Sequence, residues 1–290
     1  MTNKKLFLLL LIFLISVIYI IYFIKGTNTK GTNTKENFTK QNKLCIIVTT
    51  YNPGIEYIDK CLKSIEKQTY KNYEVCIIDD ASNKNVTCLH KLIYKYCNKN
   101  NWNFYIRIKN IGPLGSRINA IDKLHPNDED IIVSIDGDDE LYDENVFTKL
   151  NKTYQDDTLI TFGNYIDSNT SKKKINCKVH NFKKLIRKNN FRKYRWIFTH
   201  LKTFKYKLYK EIDHKDLKYN NKYFKSATDF ALMFPMLEMC GGKLKCIQHN
   251  LYIYNRTHPE SNNENKDKLS EQKINAKIIR NMKRYENKFK

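Results

Sequence analysis

Ile131-Ile132-Val133-Ser134-Ile135-Asp136-Gly137-Asp138-Asp139-Glu140-Leu141-Tyr142 runs from apolar residues into four acids within five positions. An apolar run of this length predicts a buried parallel strand. Asp136, Asp138, Asp139 and Glu140 repel one another, and carboxylates so crowded take up protons or splay apart unless a cation neutralises them. The cluster therefore predicts a hard-metal site with oxygen ligands; taken alone, it also reads as a solvated acidic turn. Gly137 allows the chain to turn tightly at the strand end. In open α/β sheets, ligands collect beyond the carboxyl ends of the strands, where these acids fall.

Outward from this stretch the chain repeats one pattern. Leu44 to Thr50 is a continuous apolar strand stopped at Asn52-Pro53-Gly54. A helix follows with Ile58, Leu62 and Ile65 on one face, then a strand from Tyr73 to Ile78 that ends in Asp79-Asp80-Ala81-Ser82. A second helix carries Val86, Leu89, Ile93 and Tyr96, Phe104 to Ile108 is a third strand, and Gly115 to Leu124 is a helix leading into the acidic strand. Strands alternating with helices of this length imply right-handed crossovers and a parallel sheet covered on both faces. A helix to Tyr154 and a strand over Thr158 to Phe162 continue the pattern. Ala227 to Met239 predicts a helix interrupted by Pro235, and Leu244 to Tyr254 holds a final strand. Polar Ser261 to Lys290 reads as a frayed helix or tail.

The 290 residues, 41% of them hydrophobic, suffice for a folded core, which excludes a disordered chain. The formal charge of +22 invites a nucleic-acid or anionic-membrane reading, but Lys, Asn, Ile and Tyr saturate the whole sequence, as an AT-rich coding sequence produces. From Lys172 to Lys222, fifteen Lys and three Arg stand against Glu211, Asp213 and Asp216, interleaved with aromatics around Trp196. Leu6 to Ile24 is nineteen mainly apolar residues, long enough at ~1.5 Å per residue to cross a ~30 Å hydrocarbon core. It predicts an uncleaved anchor, with a cleaved signal peptide as the alternative, ahead of the repeat Lys-Gly-Thr-Asn-Thr over 25–35 that serves as a stem. A single amino-terminal span suggests a type II protein with a lumenal domain, which makes nucleic acid an unlikely partner. The expected organisation is a tail at 1–5, an anchor at 6–24, a stem at 25–43, a domain at 44–260 with halves 44–165 and 166–260, and a basic tail at 261–290. Of the eight cysteines, Cys45 and Cys76 read as core thiols, no Cys-x-x-Cys supports structural zinc, and Cys88 with Cys97 or Cys240 with Cys246 are candidate disulfides.

The ordered set Ile46-Ile47-Val48-Thr49-Thr50-Tyr51-Asn52, Gln68-Thr69-Tyr70, Ile78-Asp79-Asp80-Ala81-Ser82, Asn110-Ile111-Gly112 with Arg117, and Asp136-Gly137-Asp138-Asp139 resembles the family 2 glycosyltransferases of the GT-A fold. The resemblance spans roughly Leu44 to Ser261. It implies an α/β fold with a mostly parallel nucleotide-binding sheet, and an enzyme, a hexosyltransferase, moving a sugar from a nucleotide-diphosphate donor, UDP-sugar favoured, to a hydroxyl on glycan, protein or lipid. Under it, Thr50, Tyr51, Asn52, Asp79, Asp80, Arg117, Asp136 and Gly137 bind the nucleotide sugar. Asp138 and His258 hold Mn2+ or Mg2+, and Asp229 is the general base. Thr228 stands where the family pattern has an acid, which leaves an inactive nucleotide-sugar-binding relative as the alternative. Each role also has a plainer reading: Asp79, Asp80 and Asp229 as helix caps, Arg117 as a partner of surface acids, His200 and His258 as ordinary polar residues. Glu238, nine residues beyond Asp229, is the second candidate base.

Overall fold

The computed structural model describes residues 40–170, 173–174, 182–256 and 266–289. The anchor expected at 6–24, nearly all of the stem and His258 lie outside the described residues. No helix among the described residues is long and apolar enough to cross a membrane.

In chain order come β1 (Leu44–Thr50), α1 (Ile55–Glu66), β2 (Tyr73–Asp79), α2 (Val86–Asn100), β3 (Asn103–Ile106), α3 (Gly112–Leu124) and β4 (Ile131–Asp136). They are followed by β5 (Glu140–Leu141), α4 (Val146–Thr153), β6 (Ile160–Asp167), β7 (Lys173–Lys174), α5 (Phe182–Lys188), a short 3-10 turn (Phe191–Lys193), β8 (Lys202–Lys205) and α6 (Tyr206–Tyr209). The last elements are β9 (Lys218–Tyr219), β10 (Lys222–Tyr223), α7 (Thr228–Met239), β11 (Leu244–Tyr254) and α8 (Lys266–Asn281). The main sheet runs β3-β2-β1-β4-β8-β6-β11-β5, with β7 against β6. Its first four strands are parallel.

Apolar residues occur at consecutive positions in β1, β2 and β4 because the sheet is covered on both sides. Cys45, Ile47, Cys76, Ile78 and Ile132 face Leu114, Ile118 and Ile121 of α3. Their neighbours Leu44, Ile46, Val48, Ile77, Val133 and Ile135 face Ile58, Leu62 and Ile65 of α1 and Leu89 and Ile93 of α2. The two-residue strand period thus divides each strand between two cores. The register sets Thr50 opposite Asp79 and Thr49 opposite Asp136. Three strand ends therefore deliver their polar residues to one edge.

Several boundaries differ from expectation. β3 ends at Ile106, and Ile108 is fully exposed. α3 starts three residues early, since Gly112 at φ +85° makes the turn and Pro113 suits the first helical turn. β6 continues to Asp167, and Pro235 lies within an unbroken α7. β8 is an antiparallel strand at the centre of the sheet, paired with β4 and β6, within the basic, aromatic segment 172–222 where no strand was expected. Its Lys202 and Lys205 are buried through ion pairs with Asp229 and Glu129, so a buried strand reads as a charged one. Cys45 and Cys76 are buried thiols as expected, but Cys88, Cys97 and Cys240 are also free, so neither candidate disulfide forms. Cys246 is disulfide-bonded.

Of the frayed helix or tail expected over 261–290, the described residues form a helix, α8, and it is docked rather than frayed. Ile279 of α8 is buried in the core, and the backbone N–H groups of Lys288 and Phe289 donate to the carbonyl of Met239. Arg192 anchors this region with two bonds to Glu238, at 2.7 and 2.9 Å, and one to the carbonyl of Ile279 at 2.6 Å. Glu238 also accepts the Tyr285 N–H at 3.0 Å. Glu238→Ala strands a buried guanidinium, and the expected cost is about 3–5 kcal/mol. Urea denaturation checks this; a loss below about 1 kcal/mol would mean that the pair is dispensable.

Candidate active site

A cleft of about 620 Å³ opens at the carboxyl edge of β1 and β4. Of the residues expected in the site, Thr50, Tyr51, Asp80, Arg117, Asp136, Asp138 and Asp229 line it. Asn52, Asp79 and Gly137 stand behind the lining and shape it. Asn52 Oδ1 accepts the N–H groups of Asn83 and Lys84, and its own N–H donates to Ser82 Oγ. Asp79 is fully buried; it accepts from Ser82 Oγ at 2.5 Å and stands 2.7 Å from His90 Nε2. Both residues therefore fix the loop after β2. A Cβ on Gly137 would sit 2.8 Å from Thr50 Cβ, so only glycine lets the β1 and β4 ends approach this closely. Asp80 accepts the N–H groups of Ile111 and Gly112, at 2.9 and 2.8 Å, at the amino end of α3. It serves as the cap of the plainer reading while still facing the cleft.

Arg117 of α3 ties β4 to α7. Its Nη2 donates to Asp136 Oδ1 at 2.6 Å, and its Nη1 donates to Thr228 Oγ1 at 2.9 Å and lies 3.6 Å from Asp229 Oδ1. Thr228, in place of an acid, thus accepts from the same guanidinium. Lys202 Nζ donates to Asp229 Oδ2 at 2.6 Å. Burial is the largest influence and pushes both carboxyls up, but Arg117, His200 and Lys202 together outweigh it at Asp136, and Lys202, Arg117 and His200 together at Asp229, so both are held below the ordinary carboxylate range. Glu238, the other candidate base, is buried against Arg192 and stands outside the cleft lining.

Asp138 and Asp139 behave oppositely. Burial and the charge of Asp136 push Asp138 up to about 6, and burial with Asp138 and Asp136 raises Asp139 well above its usual value. One ligand atom from each of Asp136, Asp139 and His200 lies within 4.8 Å of the others. Asp139 Oδ2 and His200 Nδ1 are buried without a hydrogen-bond partner. Burial and Lys202 lower His200 to about 3, so its ring is neutral, and it stacks on Tyr252 at 4.6 Å. Carboxylates disfavoured as anions, a neutral imidazole and two orphaned ligand atoms fit a divalent cation. Asp136 and Asp139 belong to the acid cluster that predicts a metal site, whereas His200 is not assigned to it from sequence; His200 comes to the site just ahead of β8, whose antiparallel course starts at the carboxyl end of β4.

A pH dependence follows. Because folding raises Asp138, its ionised form costs stability above about pH 6, a cost that fades as pH falls toward the ordinary carboxylate value. A cation relieves that cost and competes with the proton. The rise in Tm on adding Mn2+ is expected to be largest above pH 7 and to shrink by pH 5. A rise of equal size at pH 5 and pH 8 would exclude Asp138 from the cation site.

Residues 45–217 match the family described as Glycosyl transferase family 2. An uncharacterised glycosyltransferase of Rickettsia conorii is 32% identical over 140 residues, 47% of this chain and 20% of that protein. Glycosyltransferase GlyA of Streptococcus pneumoniae is 28% identical over 130 residues, 45% of this chain and 18% of that protein. The similarity thus spans about a fifth of these relatives' lengths. Among solved structures, TarS 1-349 of S. aureus in complex with UDP-GlcNAc is 19% identical with a TM-score of 0.55, covering 75% of this chain and 60% of that one. Mannosyltransferase PcManGT from Pyrobaculum calidifontis, in complex with GDP-Man and Mn2+, is 14% identical with a TM-score of 0.54, covering 85% and 67%. At these identities the likeness is one of fold, a GT-A-like α/β arrangement. With more than half of its length matched, the chain belongs to glycosyl transferase family 2.

Proposed function

We propose that the protein is an inverting glycosyltransferase that moves a sugar from a nucleotide-diphosphate donor, a UDP-sugar by preference, to an acceptor hydroxyl. The observation that carries this reading is the joining, through Arg117, of the acid cluster at the end of β4 to Asp229 at the start of α7. Thr50, Tyr51 and Asp80 bind the nucleoside part, and Asp136, Asp138, Asp139 and His200 hold Mn2+ or Mg2+. The cation, when bound, neutralises charge on the departing diphosphate. It is needed because Arg117 and Lys202 are already matched by Asp136 and Asp229. The acceptor oxygen forms a bond to the anomeric carbon as the bond to the diphosphate breaks, with the electron pair leaving on the diphosphate. The acceptor proton passes to Asp229. Its lowered basicity suffices if the new bond forms first, since the attacking hydroxyl becomes strongly acidic as it bonds to carbon. One displacement inverts the anomeric centre.

The apolar run at 6–24 supports a single-pass type II anchor with the domain lumenal, and disulfide-bonded Cys246 supports an oxidising compartment. The test is metal-dependent hydrolysis of UDP-GlcNAc, UDP-glucose and GDP-mannose by the full chain. Turnover of at least one, with Mn2+ or Mg2+ and not with chelator, is expected. No turnover and no binding of any donor would overturn the reading.

A further inference from the structure

Asp136, Asp139 and His200 share a neighbour that lies beyond the family-matched stretch, Tyr252 of β11. Tyr252 is fully buried, and the register of β11 on β6 shifts between Asn250 and Tyr252, immediately before it. Such an irregularity re-aims a side chain. β8 pairs with β4 only as far as Ser134, opposite Lys202. The next N–H on that side of β4, that of Asp136, therefore has no strand partner, and it donates to the Tyr252 hydroxyl at 3.0 Å. Having accepted there, the hydroxyl keeps its own proton to give. It lies against the Asp139 carboxyl, where it favours the anion, and Asp139 Oδ2 is a buried acceptor with no hydrogen bond of its own. The Tyr252 ring lies flat on the His200 imidazole, with centroids 4.6 Å apart and planes within 9°. Three residues on, Asn255 adds two donors, its N–H to Asp139 Oδ1 at 2.7 Å and its Nδ2 to the Asp138 carbonyl at 2.6 Å.

Resting on the reading that these residues hold a divalent cation, we infer that Tyr252 is a positioning residue for it, fixing the main chain of Asp136, the carboxyl of Asp139 and the ring plane of His200 relative to one another. Asn255 clamps the turn at Asp138 and Asp139 behind them. Crowded carboxylates repel and turn apart when no cation is bound. A buried phenol, bonded at its tip and stacked on its face, resists that movement. The ligands come from the end of β4 and from the residues just ahead of β8, while β11 sets their spacing. The cage is thus built before the cation arrives.

Mn2+ binding to the full chain, with no donor present, is measured by the electron paramagnetic resonance of free Mn2+, and Tm in chelator shows that each variant is folded. Tyr252→Phe removes one oxygen and keeps the ring on His200. Because groups that orient metal ligands contribute about 10- to 100-fold in metal affinity, its Mn2+ affinity is expected to fall about tenfold or more. Tyr154→Phe is the matched control: Tyr154 is also fully buried, and its hydroxyl bonds Thr203 Oγ1 at 2.8 Å and none of the ligand residues. Its affinity should stay within about threefold of wild type, since separate sites act independently. Asn255→Ala keeps the main-chain bond to Asp139 and loses the bond to the Asp138 carbonyl, and a loss of roughly threefold to tenfold is expected. Unchanged Mn2+ affinity in Tyr252→Phe would overturn the inference while leaving the cation reading standing. An equal loss in Tyr154→Phe would overturn it too, because any missing buried hydroxyl would then have the same effect. Should Tyr252→Phe not fold, Asn255→Ala decides, and an affinity equal to wild type overturns the inference. Failure of the wild type to bind Mn2+ would instead defeat the cation reading, and the inference with it.

Discussion

Asp229→Asn is expected to bind donor and Mn2+ at least as tightly as wild type and to transfer sugar 10²- to 10⁴-fold more slowly, the usual loss on removing a general base. The amide keeps the shape of the carboxylate and can still accept from Lys202, which bonds to Asp229 Oδ2 at 2.6 Å. It cannot take a proton. Removing the charge also frees Lys202 and part of Arg117 to face the diphosphate, so donor affinity should rise if it changes at all. Single-turnover kinetics at saturating donor separates the two effects. If the variant keeps more than about half of its transfer rate, the base lies elsewhere. Glu238 is not the replacement, because it is buried against Arg192 away from the cleft; Glu271 would then be tested.

Asp136→Ala should cost about 10²- to 10³-fold in transfer and weaken donor binding, in contrast to Asp229→Asn. Asp136 belongs to two constellations: it bonds to Arg117 at 2.6 Å, and its carboxylate is grouped with Asp139 and His200. Truncation removes a cation ligand and leaves Arg117 with Asp229 as its remaining carboxylate. The guanidinium then draws on the base, so both halves of the reaction suffer. The measurement is kcat/KM with donor affinity taken separately. Unaltered donor affinity together with a normal rate would show that the strand-end acids play no part in the chemistry.

What the sequence made legible was whatever simple periodicity encodes. The strands β1, β2 and β4 are apolar on both faces because helices cover both, and their acids must therefore emerge at one edge. Asp79 and Asp80 look alike in sequence. Only the fold separates a buried loop clamp bonded to Ser82 and His90 from a cleft residue capping α3. β8 escaped notice because Lys202 and Lys205 are buried by partners distant in the chain, which no local pattern records. With β8 went His200, the imidazole grouped with Asp136 and Asp139, while His258 lies outside the described residues. A helix is among the readings of the last thirty residues, but the docking of α8 is not legible, for a related reason. Its mean polarity is high, and few of its described side chains, Ile278 and Ile279 among them, reach the core, joined by Met282 just past its end.

The central claim is that a cation held at the end of β4 carries the donor diphosphate. It is tested most directly by calorimetric titration of UDP-GlcNAc, UDP-glucose and GDP-mannose into the full chain at pH 7.5, first with Mn2+ and then with excess chelator. The account predicts that at least one donor binds with Mn2+ and loses about a hundredfold or more in affinity with chelator. Equal donor affinity in the two conditions would contradict it.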